Sequence, residues 1–297
     1  MINHFHKDRM FSFLFGRREN RDWTLSLYNA VNRTHYTNPE AIEITTIEDA
    51  VYMSMKNDLS FLLQYVMSIY EQQSTFNPNM PIRGLMYTGR LYDKYIHMNR
   101  LNIYGQKPIL LPVPKLVVFY NGLDEKEDQI LRLSDSFPDT INREASDIEV
   151  KVRMININQG KNKELMNACK PLAEYAWFVD RIRQNRSGMD IESAVDKAID
   201  DMPEHFAIRN FLIGNRAEVK NMCITEYNEA ETMRMLKEEW RKEGREEGRE
   251  EGREEGEEKL GKLMEKLLAE GRFYDIKLAV NDKATRQKLY EEFGITL

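Results

Sequence analysis

The chain has very little cysteine, with only Cys169 and Cys223 in 297 residues. The two lie far apart in sequence and form neither a CxxC pair nor the regular spacing of a disulfide framework. A small, disulfide-stapled extracellular domain is therefore excluded. The cysteine usage predicts a protein of the reducing cytoplasm.

Long apolar runs are also missing. The longest one, residues 109–120, is interrupted by Pro112 and Pro114 and is too short to cross a bilayer. The first nine residues are polar and contain histidine, unlike the apolar stretch of a secretory signal. We therefore expect no membrane association.

The chain has no excess of positive charge, since its net charge is −6. A general nucleic-acid binder is usually basic, so this value argues mildly against one. Residues 237–259 hold eleven acids and seven bases, which accounts for −4 of that total. The rest of the chain is near neutral, and 41% hydrophobic residues are enough to build a core in one or two domains.

The most informative segment is a predicted β-hairpin. Residues 56–63 and 66–73 are rich in apolar and aromatic side chains, and Gln64-Tyr65 can form a two-residue loop between them. In that register Leu63 opposes Val66, so Asp58 lies directly opposite Glu71. Gln73 follows two residues later, on the same face.

Two carboxylates facing each other repel unless a cation lies between them. Mg²⁺ is a natural candidate, because one or two carboxylates with water and substrate phosphate complete its octahedron. An ordinary acid pair on a solvent-facing sheet is the alternative, since the motif is short. The bare pattern also predicts that removing either charge relieves repulsion without loss of stability.

A longer pattern surrounds these residues. It comprises residues 8–16 (DRMFSFLFG), Asp58, Glu71-x-Gln73, a helix bearing Arg83 and Tyr87, and a charged glycine-repeat tail. Over most of residues 5–260 this order resembles the recombination-promoting nuclease (Rpn) family, also described as PD-(D/E)XK nuclease family transposases. The resemblance implies an α/β fold, with a restriction-endonuclease-like mixed sheet flanked by helices and followed by a helical C-terminal region.

The resemblance also implies a DNA endonuclease that depends on Mg²⁺ or Mn²⁺ and has Asp58 and Glu71 as metal ligands. The wider superfamily usually carries lysine where this chain has Gln73, which looks like the form of the Rpn family itself. Glutamine cannot act as a base, so Gln73 would orient the attacking water. Lys56 lies opposite Gln73 in the predicted register and is a candidate for the missing charge, or simply a surface lysine at a strand end.

Two further groups are predicted near the site. Asp8 shares a helical stripe with Phe11 and Phe15, so its carboxylate needs a partner. The resemblance implies that this acid of the first helix approaches the metal, whereas a first-turn acid stabilised by the helix dipole is an equally good explanation. Residues 81–99 are predicted to form a helix. One face of it carries the candidate DNA-binding residues Arg83, Tyr87, Arg90 and Lys94. A solvated charged face is the alternative for this stripe.

The rest of the chain completes the domain prediction. Strands are expected at residues 43–48, 115–120 and 148–157, and helices at residues 7–15, 23–31, 163–184, 191–201 and 204–213. We predict a nuclease-like core at residues 1–160, a helical extension at 161–236, a charged glycine repeat at 237–259 and a small helical segment at 260–297.

The repeat places Gly244, Gly248, Gly252 and Gly256 four residues apart among glutamates and arginines. Each glycine costs a helix roughly 1 kcal/mol relative to alanine, so both a flexible linker and a helix packed against a partner remain open. The leucines at 260, 263, 267 and 268 form an apolar stripe that favours a homo-oligomer.

The sequence thus predicts a metal-dependent DNA endonuclease associated with recombination or transposition. The alternative is a catalytically degenerate nuclease fold that serves as a DNA-associated or protein-interaction scaffold.

Overall fold

A computed structural model describes residues 10–46, 57–124, 126–140 and 142–295. The chain divides after Ala230 into two compact units, each described by itself below. The predicted divisions near residues 160, 236 and 259 stay predictions.

The first unit is built on one mixed sheet. Its strands are β1 (Ile42–Ile44), β2 (Leu59–Leu63), β3 (Val66–Gln73), β4 (Val113–Tyr120), β5 (Gln129–Arg132) and β6 (Lys151–Asn156). They lie side by side in the order β1-β2-β3-β4-β6-β5. Neighbours β1, β2 and β3 are antiparallel, β3, β4 and β6 run parallel, and β5 returns antiparallel to β6.

Helices flank the sheet of this unit. They are α1 (Met10–Phe15), α2 (Arg21–Asn32), α3 (Met80–Met98), α4 (Lys163–Ala168), α5 (Lys170–Asn185), α6 (Ile191–Asp200) and α7 (Arg209–Gly214). The α/β class with a mixed sheet and flanking helices is therefore confirmed.

Alternation along the strands sorts side chains onto two faces. Phe61, Tyr70 and Phe119 point to a large core that includes Phe11 of α1 and Tyr175 of α5. Side chains of the opposite parity form two smaller clusters that contain residues of α3. Since β3 is covered on both sides, seven of its eight residues are buried.

The predicted hairpin is confirmed in its register, with Leu63 paired to Val66 and Leu59 to Tyr70. Gln64 has a φ of 55°, the positive value that a tight two-residue hairpin loop requires at its first position. The turn, and not the strands alone, therefore fixes which side chains face each other.

Several predicted elements differ from the structure. The strand expected at 148–157 spans only Lys151–Asn156. The single helix expected at 163–184 is broken at Cys169, whose backbone is extended just before Pro171 in the first turn of α5. The helix expected from residue 204 begins only at Arg209. The strand expected at 43–48 ends at Ile44 in its described part, while residues 47 and 48 lie outside the described residues.

The glycine repeat is helical. It lies within α8 (Arg216–Ala269), and Glu250 forms an ion pair with Arg253, three residues further along the helix. A Cβ built on any of the four repeat glycines meets no heavy atom within 4 Å. This part of the chain is a charged helix, not an irregular linker.

The leucine stripe has a different role from the expected one. Leu263 and Leu267 are fully buried, packed with Ala279 of α9 (Phe273–Asn281) and Leu289 of α10 (Lys283–Glu292). Half of the stripe is thus used inside the second unit. Self-association through these two leucines is therefore not supported.

No helix in the described ranges combines the length and the apolar character needed to cross a bilayer.

Replacing Gly248 and Gly252 with alanine should make the isolated repeat more helical. The gain expected is roughly 2 kcal/mol in helix stability, because each glycine costs about 1 kcal/mol and the space around both is open. Circular dichroism of a peptide spanning residues 237–268 measures the change.

Sedimentation of the full chain tests the separate idea that the glycine face is a contact, since the double variant should then associate more weakly than the wild type.

Candidate active site

The site lies where β2 begins and β3 ends. Asp58 directly precedes β2, so the register places it opposite Glu71. The two acids are joined through the backbone: the amide of Asp58 donates to Glu71 Oε1 at 2.9 Å, and Asp58 Oδ2 accepts from the amide of Gln72 at 2.7 Å. Ser12 of α1 holds the Asp58 carbonyl through a 2.6 Å hydrogen bond.

A cation does lie beside Glu71, but it belongs to the protein. Arg83 Nη2 donates to Glu71 Oε2 at 3.0 Å, and the glutamate side chain is only 3% exposed against 34% for the arginine. The guanidinium therefore compensates a buried carboxylate that sequence alone paired with a metal ion. Removing Glu71 would leave this guanidinium without the carboxylate that it pairs with. We therefore expect Glu71 variants to lose stability, in contrast to the expectation from the bare pattern.

Tyr87, one turn further along α3, fixes Arg83 from the other side. Its hydroxyl accepts from Arg83 Nε at 3.1 Å and from Nη2 at 2.7 Å. Burial, followed by the nearby Glu71 carboxylate, raises the pKa of Tyr87 to about 12. Burial alone would lower the pKa of Arg83, but Glu71 and Tyr87 outweigh it and raise that pKa, so the guanidinium stays charged.

Tyr87→Phe should make the protein less sensitive to alkaline pH. A raised folded-state pKa stabilises the protein fully below the unfolded value near 10, and this contribution is lost as pH rises towards 12. Between pH 9 and pH 11 the wild type should lose roughly 1.4 kcal/mol more unfolding free energy than the variant. Urea denaturation at both pH values measures this, and Tyr104→Phe, at a 92% exposed tyrosine, is the control.

The side-chain oxygen of Gln73 has no hydrogen-bond donor among the described residues. Its side chain is 6% exposed, and its Nε2 approaches Met80 Sδ at 2.6 Å. Its Oε1 is buried and accepts no hydrogen bond from the described residues. An amide oxygen on the same face as two carboxylates matches the hard oxygen ligands of Mg²⁺ and Mn²⁺.

These donors fit such an ion, with the protein supplying two carboxylates and one amide. Within the ranges that the structure describes, no group of three or more His, Cys, Asp or Glu side chains is arranged to hold a metal. Asp8 and Lys56, the other predicted contributors, lie outside the described residues.

The predicted DNA-facing stripe on α3 is divided. Tyr87 is 1% exposed and contacts Arg83, so those two belong to the acid site. Arg90 is half-buried, and exposed Lys94 lies with its Nζ 3.4 Å from the carbonyl of Thr45. Only the outer part of the stripe is available to a partner in this conformation, and its role in DNA binding stays a prediction.

A polar network at the ends of the strands was not predicted. Gln72 Nε2 donates to Asn121 Oδ1 at 2.7 Å, Arg183 of α5 donates to the Asn121 carbonyl, and Arg183 Nη1 reaches Asn158 Oδ1 at 3.0 Å. The sequence signal was Asn121-Gly122 directly after a buried strand, which indicates a turn but not its partners. Gly122 is required there, because a Cβ would lie 2.6 Å from the Ser74 carbonyl.

Comparison with known proteins found no match for this chain. No protein-family model matches the chain. No curated protein and no solved structure matches it either. The likeness to Rpn nucleases is therefore a hypothesis drawn from the sequence pattern.

Proposed function

We propose that this protein is a cytoplasmic, metal-dependent endonuclease of the PD-(D/E)XK type that hydrolyses phosphodiester bonds in DNA. The observation that carries the proposal is the opposed pair Asp58 and Glu71, with the buried Gln73 amide oxygen on the same face. The mixed sheet is compatible with the fold that the Rpn resemblance implies. Recombination or transposition is the process with which that resemblance associates the activity.

Each side chain has a role that its position supports. Asp58, Glu71 and Gln73 would hold Mg²⁺ or Mn²⁺, which when bound polarises a phosphodiester and makes water more acidic. Arg83 is partly exposed, so its guanidinium can turn from Glu71 to a phosphate oxygen, where bidentate pairing is favourable. Tyr87 keeps that guanidinium near the site through its hydroxyl.

A second function has an observation in its favour. Arg83 forms an ion pair with Glu71 at 3.0 Å, an arrangement that needs no metal. A scaffold that binds DNA or protein without cutting would keep this ion pair permanently. The two functions differ in whether a divalent cation binds.

Purified protein should therefore nick or linearise supercoiled DNA with Mg²⁺ or Mn²⁺, and leave it intact in EDTA. Agarose electrophoresis over a cation series measures cleavage, and calorimetry on the same protein measures cation binding. A protein that binds DNA but neither takes up these cations nor cuts would establish the scaffold instead.

A further inference from the structure

A groove opens near the end of the sheet at which the parallel strands β3, β4 and β6 finish. It has a volume of about 560 Å³ and is lined by the loop that follows β6, by α4, by the start of α5 and by His205 and Phe206. This volume lies within the range typical of small-ligand sites. None of the residues assigned to the acid site lines it.

The wall of the groove is aromatic and its rim is basic. Trp177 and Phe206 meet edge to face with centroids 5.4 Å apart, and both are half-buried. Lys163 and Lys170 are exposed on the rim, and Lys170 is the first residue of the 16-residue helix α5, whose N-terminus adds partial positive charge.

The lining of the groove contains one acid, Glu174, which the lysines of the rim outnumber. Glu174 is 7% exposed, and its Oε2 accepts a hydrogen bond from the amide of Ile208 at 3.0 Å. The third rim lysine, Lys161, pairs with Glu127 at 2.8 Å. The two remaining lysines give the opening a positive character that suits an anion.

An aromatic wall beside lysines matches the chemistry of a nucleotide, which presents a flat base next to a phosphate. We propose that this groove binds an unstacked base of a single DNA strand on Trp177, with flanking phosphates on Lys163 and Lys170. A base within a duplex has both faces covered by its neighbours, so a single strand is the form that can use the ring.

The position of the groove connects it to the acid site. Parallel strands β3, β4 and β6 end together at Gln73, Tyr120 and Asn156, and the groove begins at Asn158. Two strand spacings separate β3 from β6, about 10 Å. The network from Gln72 through Asn121 and Arg183 to Asn158 spans this distance.

The groove lies on the face of the sheet that α4 and α5 cover, whereas Asp58 and Glu71 lie on the face of α3. A strand held in the groove would therefore pass around this end of the sheet to reach the two acids. This last step rests on the proposed endonuclease function, whereas binding in the groove does not. The groove would give the enzyme a preference for DNA with an unpaired segment.

Fluorescence anisotropy of a labelled thymidine oligonucleotide, titrated in EDTA, tests the groove without cleavage. Lys163→Glu with Lys170→Glu should weaken binding at least about tenfold and reduce the salt slope by roughly 1.4, the contribution of two single-strand phosphates. Trp177→Ala should weaken binding at least about fivefold and leave the slope unchanged. Trp177→Phe keeps a ring and should bind nearly as the wild type does.

The matched control reverses the charge of two exposed lysines near the other ends of the strands, by Lys115→Glu with Lys151→Glu. It should leave the affinity for the oligonucleotide unchanged. Both double variants change only exposed side chains, so their fold should persist. Equal weakening by the control, unchanged affinity in the groove variants, or tighter binding of an intact blunt duplex would overturn the proposal. So would competition by thymidine monophosphate as effective as that of the oligonucleotide.

Failure of the two proposals is distinguishable. A wild type that binds through the groove but never cuts would refute the endonuclease function and support the groove.

Discussion

Asp58→Asn is expected to lower the rate of DNA cleavage by more than the roughly 10–100-fold that follows loss of an outer partner of a metal site. Asparagine keeps the shape of the side chain and can still accept the hydrogen bond from the amide of Gln72. What it removes is one negative charge, half of the carboxylate charge available to a cation. Plasmid cleavage in Mg²⁺ measures the loss, and cation calorimetry should show weaker binding.

The matched variant at the other acid is Glu71→Gln, and it separates the effect of lost charge on cleavage from the effect on stability. Glu71→Gln retains an oxygen for the amide of Asp58 but leaves Arg83 without its carboxylate. We expect similar loss of cleavage together with a lower melting temperature, whereas Asp58→Asn should melt close to the wild type. Full cleavage by both variants would refute the assignment of the two acids.

Arg83→Met is expected to destabilise the protein by about 2–3 kcal/mol, because it removes the guanidinium that pairs with the 3% exposed Glu71 carboxylate. The figure is below that of a fully buried pair, since Arg83 is 34% exposed and partly screened by water. A divalent cation should restore part of the lost stability and should bind this variant more tightly than the wild type. Urea denaturation with and without Mg²⁺, together with calorimetry, measures both effects.

Two controls sharpen that result. Arg83→Lys keeps the charge and should lose less stability. Arg90→Met removes a half-buried arginine two turns along α3 and should leave Mg²⁺ affinity unchanged. If Arg83→Met gains neither affinity for Mg²⁺ nor stability from it, Glu71 does not contact a metal ion.

The hairpin could be predicted because its information is local. Two runs rich in apolar and aromatic residues, joined by a two-residue loop, indicate the register, and the register alone places Asp58 opposite Glu71. Central strands β4 and β6 were recognisable for the same reason. The edge strand β5 escaped prediction because three of its four residues are exposed, so it has no buried stripe.

The partners of the acids could not be predicted, because they depend on how α3 packs across the sheet. Helical spacing put Arg83, Tyr87, Arg90 and Lys94 on one stripe, but it did not indicate that the first two face inward. The expectation that Leu263 and Leu267 contribute to self-association had the same weakness, since these two leucines are covered by α9 and α10. In each case periodicity predicts a face, and tertiary packing decides what covers it.

The length of the loop Gln64-Tyr65 helps to determine which side chains of β2 and β3 face each other at the site. Surface loops normally tolerate an added residue, but one that was inserted here and taken into the strands would shift the pairing of β2 against β3 by one position. Successive side chains point to opposite sides of a strand, so Asp58 would then lie across from a residue of the other face. The chemistry at one end of the hairpin is therefore set by chain length at the other, about five residues away along each strand.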